Sequence, residues 1–166
     1  SDMKHVSRPG SAAEPKRPVI SFRMQLPGNY FAQGEVYLEA AIALSKTPPR
    51  LIGAEIPLFF CIAQATELFF KSFLAANGKD RALAGWTTHD LAKLQSAATQ
   101  LGLILKDTTQ ATITEIAKQN RAHEFRFLDT TRELVLPPPR CAIKAVTDIK
   151  TSALDTVQPF MRVREK

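Results

Sequence analysis

Between Pro57 and Gly78 the chain reads PLFFCIAQATELFFKSFLAANG, and its apolar residues recur at helical spacing. Leu58, Ile62, Ala65, Phe69, Phe73 and Ala76 step by three or four, with Phe59, Phe70 and Leu74 beside them, a pattern that strand alternation does not fit. A stripe this wide and aromatic has to be covered, so the remaining elements are expected to pack on this helix. Pro57 costs no hydrogen bond in a first helical turn, and Asn77-Gly78 supplies residues that tolerate the positive φ of a helix end. A short polar and basic link then leads to TTHDLAKL, from Thr87 to Leu94.

The flanking segments read as further helices. Gly34 to Ser45 places Val36, Ala40 and Ala43 on one face with Tyr37, Leu38, Ala41 and Leu44 adjoining, which predicts a short helix able to approach its neighbour closely; Pro48-Pro49 stops it. A Thr followed three residues later by Asp predicts a capped third helix from about Thr88 to Gln100, with Leu91, Leu94 and Ala98 inward and Gly102 breaking it. A fourth begins near Asp107 or Thr108 and runs through Ile113, Ile116, Ala117, Asn120, His123, Glu124 and Phe127, turning polar towards its end. Leu134 to Pro139 is an extended strap, because a residue before proline is pushed out of the helical region. The last helix spans about Arg140 to Met161, with Ile143, Val146, Ile149, Ala153, Leu154 and Val157 inward. The expected fold class is all-α, an up-and-down bundle of four to five helices with an extended N-terminal segment. Residues 19–26 are expected to lie extended on the body, closed by a turn at Pro27-Gly28-Asn29.

At 166 residues, with 45% of them hydrophobic, the chain supports one real core and not two. It divides into a flexible, basic, proline-rich segment over 1–30 and a helical domain over 31–166. Five basic residues against two acidic ones place +3 of the formal +6 charge in the leading segment. Such a balance permits phosphate contact without requiring it. Cys61 and Cys141 lie in apolar helical patterns without metal or redox spacing and read as reduced core residues. No run of about 18 apolar residues escapes charge or polar interruption, and no charged start leads into an apolar signal segment, so no membrane role and a cytoplasmic location are expected. His5, His89 and His123 are too dispersed for a zinc site, Gly78-Lys79 has no phosphate-loop pattern before it, and no nucleophile elbow occurs. No cofactor is expected.

YLEAAIAL in the first helix, QATELFFKSFLAANG in the second, THDLAKL opening the third and HEFRF near the end of the fourth together resemble the HEPN superfamily of small all-helical domains. The resemblance covers about Tyr37 to Phe127, and its most specific part joins Glu67, Lys71 and His89-Asp90-Leu91 across a loop. Many HEPN proteins are metal-independent ribonucleases with an Arg, four to six residues, then a His. Here Lys118 stands where the Arg is expected and His123 follows after four residues, so the motif is altered. Phe125 also replaces the Tyr whose hydroxyl is modified in regulated toxin members of the family.

The resemblance implies three functional expectations. The first is a non-catalytic module that binds a nucleic acid, a nucleotide or a partner protein through a basic face of Lys118, Arg121 and Arg126, in a toxin-antitoxin or phage-defence setting. The second is an endoribonuclease in which His123 is the base and Lys118 or Arg121 the phosphate-binding cation. Lys lacks the planar fork of Arg, and Lys118 and His123 stand about 140° apart on a helix. Because one helix offers few groups, the resemblance to the family's dimers implies a working site formed by two chains facing each other in a homodimer. The third is a purely structural dimer. Against any chemistry stands a structural reading of the same residues: His123 beside Glu124 as a hydrogen-bonded helix residue, His89 as a ring at position two of a helix, and Glu67-Lys71 as an i, i+4 surface pair contributing tenths of a kcal/mol. Glu67, Lys71, His89 and Asp90 also read as one buried polar cluster tying the second helix to the third.

Overall fold

The computed structural model describes Ala13 and residues 15–17, 26–47, 55–79, 89–120 and 133–161. Among these the protein is an all-α bundle of five helices: α1 Leu26–Ser45, α2 Glu55–Ala76, α3 Leu91–Gln100, α4 Asp107–Asn120 and α5 Pro139–Val157, the last followed by a 3-10 turn over Gln158–Phe160. No strand occurs among the described residues.

α2 lies at the centre, in contact with all four other helices. By length and composition it could cross a membrane, but 78% of its apolar window is buried within the bundle. From Ala65 to Leu74 every residue is buried. Phe59, Phe69, Phe70 and Leu74 are enclosed, with Phe31, Leu91, Leu94, Ile113, Ile116, Val146 and Ile149 closing around them from the other four helices. Burying one such side chain fully contributes about 1.5–3 kcal/mol, which makes this cluster the largest favourable term in the fold. Hydroxyls caught inside α2 are satisfied on their own helix: Thr66 Oγ1 donates to the Ile62 carbonyl at 2.8 Å and Ser72 Oγ to that of Phe69 at 2.7 Å.

α1 begins two turns earlier than its pattern predicts. Residues 27–29, expected as a closing turn, are its first turn, with Pro27 and Gly28 buried. Pro27 is tolerated there because a first-turn N–H has no intrahelical acceptor to lose. The helical body therefore takes in residues 26–30 as well as those from 31 onward. The extra turns also choose the buried face. Phe31 and Gly34 fall in register with Leu38 and Ala41, and this set faces α2, whereas Val36 and Ala43, expected inward, are exposed. The ring of Phe31 meets Phe69 edge-on, centroids 5.1 Å apart at 62°. Gly34 lies directly against the same ring: a Cβ there would stand 2.8 Å from Phe69 Cε1.

The helix ends follow local chemistry. After α2 and α3, Gly78 and Gly102 take φ values of 69° and 99°, and the next residues fold back to close the last turns, Lys79 N to Leu74 O and Leu103 N to Ala98 O, both at 3.0 Å. α4 is capped from a distance. The Asp148 carboxylate on α5 accepts from Lys106 N at 3.1 Å and from the Thr109 hydroxyl at 2.8 Å, setting a negative charge at the start of α4 and joining the two helices. Cys61 is part-buried, and burial pushes its thiol above the ordinary range. Cys141, expected in the core, is exposed in the first turn of α5 instead.

Gly34→Ala tests the tightest contact. In an open helix this change stabilises by about 1 kcal/mol. Here the methyl group has to displace an enclosed ring, so denaturant unfolding should show a loss of about 1–3 kcal/mol; an unchanged or raised midpoint would contradict the packing described.

Candidate functional site

The chemistry-bearing residues fall in two places. One is the junction of α2 with the start of α3. Glu67 and Lys71 occupy one face of α2 a turn apart, with Glu67 Oε2 at 3.4 Å from Lys71 Nζ. Both are buried, at 6% and 8% exposure, so the surface-pair expectation does not hold. The reason is positional: α2 is wrapped on all sides, and no face of its central turns is left for solvent. A paired charge in such surroundings needs further hydrogen bonds, since desolvating each ion costs several kcal/mol.

His89 supplies one of these bonds. Its Nδ1 lies 2.7 Å from Glu67 Oε1. A carboxylate only accepts, so Nδ1 carries the proton, and both Glu67 oxygens are engaged by groups able to be cationic. The His89 side chain is half exposed, one edge of the ring turned to the buried carboxylate. Its neighbour Asp90 fixes the helix that follows. With φ −77° and ψ 102° it is the N-cap of α3, its Oδ1 accepting from Ala92 N at 3.0 Å and Lys93 N at 3.3 Å. His89 thus precedes the cap instead of occupying position two of the helix, because the Asp90 side chain meets the free N–H groups itself. Glu67 is in direct contact with both Lys71 and His89, and Asp90 caps the helix that follows His89. Chemically, the arrangement ties α3 to α2 and holds one imidazole in a fixed orientation.

The second place is the end of α4. Lys118 lies in the last turn, exposed, where the carbonyl end of the helix favours a cation. Arg121, His123 and Arg126 lie outside the described residues, as do Glu124, Phe125 and Phe127. Of the cations and the imidazole expected there, Lys118 is the one that lies among the described residues.

Elsewhere, Gln95 of α3 is buried at the seam with α4, donating through Nε2 to the Gln110 carbonyl at 3.4 Å. An open depression is lined by Leu154, Asp155, Gln158, Pro159 and Met161 at the end of α5. Among the described residues no three His, Cys, Asp or Glu side chains converge as a metal site would require. No protein-family model, no curated protein and no solved structure matches the chain.

Removing the shared acceptor should cost more than removing either edge of the cluster. Glu67→Ala takes the carboxylate from beside a buried ammonium and should lower the unfolding free energy by about 2–3 kcal/mol. His89→Ala, at a half-exposed position, should cost about 1 kcal/mol, and a double-mutant cycle should return a coupling between the two. Additive losses would mean that the 2.7 Å contact contributes nothing.

Proposed function

We propose that the chain is a HEPN-like helical module that binds a nucleic acid, a nucleotide or a partner protein through a cationic surface at the end of α4, and that it does so without catalysis. The observation that carries this reading is the exposed Lys118 in the last turn of α4, followed in the sequence by Arg121 and Arg126. Three cations within nine residues of sequence, the first of them in a last helical turn that favours positive charge, suit phosphate oxygens. The +6 formal charge supports the same class of partner. The non-catalytic part rests on the substitution at position 118, since an ammonium cannot grip two phosphate oxygens as a guanidinium does.

A second reading keeps the same surface and adds chemistry. His123 follows Lys118 after four residues, the spacing that the resemblance associates with metal-independent RNA cleavage. His123 would take the 2′-hydroxyl proton, and Lys118 or Arg121 would meet the charge on the phosphorane.

Binding of a single-stranded RNA by purified protein decides between them. If Lys118, Arg121 and Arg126 each engage a phosphate, log K should fall with log salt at a slope of about −2, and Lys118→Glu with Arg121→Glu should weaken retention at least about tenfold with the helix content unchanged. Retention that is absent at low salt, or indifferent to the double substitution, would overturn the binding surface. RNA cleaved by the wild type and left intact by His123→Ala would favour the catalytic reading.

A further inference from the structure

The pairing of α3 with α4 fixes where Lys118 stands. The two helices run antiparallel across the loop 101–106, and Gln95 Nε2 on α3 lies 3.4 Å from the Gln110 carbonyl and 3.5 Å from Thr114 Oγ1 on α4. Gln110, Thr114 and Lys118 follow one another at steps of four, so Lys118 lies one turn past Thr114 on the side of α4 that meets α3. One turn back from Gln95 along α3 is Leu91, with the Asp90 cap and His89 directly before it. Lys118 and His89 therefore share one end of the bundle. Neighbouring helices stand about 8–10 Å apart, a gap that a lysine side chain and one nucleotide together can cross.

His89 brings to that end a group of defined character. Its Nδ1–H is committed to Glu67 Oε1 at 2.7 Å, so in the neutral ring Nε2 keeps the lone pair and accepts. Glu67 is its polar partner among the described residues, and the side chain is 50% exposed, which leaves Nε2 to solvent or to a ligand. Two carboxylates stand close by, Glu67 against the ring and Asp90 next in the chain. They make this a poor place for a phosphate and a good one for a neutral donor. A hydroxyl next to a phosphate is what a ribonucleotide offers and a deoxyribonucleotide lacks. We propose that His89 is a ligand-contacting residue of the Lys118 surface, its Nε2 accepting from a ribose 2′-hydroxyl while Lys118 meets the adjacent phosphate. The proposal rests on the binding reading of that surface and adds to it a residue that selects RNA over DNA. The buried Glu67 then serves the site as well as the fold, by holding the imidazole in one tautomer.

Oligouridine RNA and the same oligomer carrying 2′-fluorine, which keeps the sugar pucker but has no donor, separate the outcomes in fluorescence anisotropy at low salt. The RNA should bind about three- to tenfold more tightly, the factor expected of one hydrogen bond. His89→Ala should bring the RNA to the affinity of the fluorinated oligomer, and Lys118→Glu should weaken both alike. Long-range nitrogen-15 spectra of the wild-type ring give a readout that needs no variant. The Nε2 resonance should lie where an unprotonated nitrogen does, and it should move on adding the RNA but not on adding the fluorinated oligomer. Equal affinity for the two oligomers, a preference that outlasts His89→Ala, or an Nε2 signal that RNA leaves in place overturns the role of His89 and leaves the Lys118 surface standing. Retention of neither oligomer overturns both.

Discussion

The structure depends on the wrapping of α2. A helix with phenylalanines on several faces cannot rest against a single neighbour, and the other four helices meet the requirement by each contributing enclosed side chains. The tightest part is Phe69, held between the ring of Phe31 and the bare backbone at Gly34. That contact explains why α1 starts as early as Leu26: without its first two turns Phe31 would not be in place against Phe69. It also explains which side of α1 is spent on α2.

The same wrapping changes the meaning of the charges on α2. An exposed Glu67-Lys71 pair would contribute almost nothing, while a buried one is a cost unless it is fully hydrogen-bonded. His89 meets part of that need, and Asp90 caps the helix that delivers it. The cluster thus ties α3 to α2 at a defined angle. α3 leads into α4, whose start is pinned to α5 by Asp148. The position of Lys118 accordingly follows from a chain of contacts that begins in the buried middle of α2.

Much of this was legible in the residues. The helical period from Leu58 to Ala76, the stops at Gly78 and Gly102, and the inward sets of α3 and α5 follow from spacing and turn chemistry alone. Other features did not. The buried side of α1 could not be chosen from its pattern, because an apolar residue stands on either side and only the volume of Phe31 and the clearance at Gly34 decide. The depth of Glu67 and Lys71 stood between two readings, a surface pair and a buried polar cluster, because an i, i+4 pair is ordinarily a surface feature. A usable signal was present: between Ala65 and Leu74, Glu67 and Lys71 are the only charged residues, so the helix has no polar face to offer water. The Asp90 cap displaced the expected start at Thr88 because a carboxylate reaches the free N–H groups of Ala92 and Lys93 directly.

Native-state hydrogen exchange of the α2 backbone is the most direct test of this account. If the bundle is built on α2, the amides from Ile62 to Leu74 should exchange only through global opening, with a free energy equal to that from denaturant unfolding, while the ends of α3 and α4 open more easily. Exchange of these α2 amides through local openings more than about 1 kcal/mol below the global value, with α1 or α5 better protected, would place the centre of the fold elsewhere.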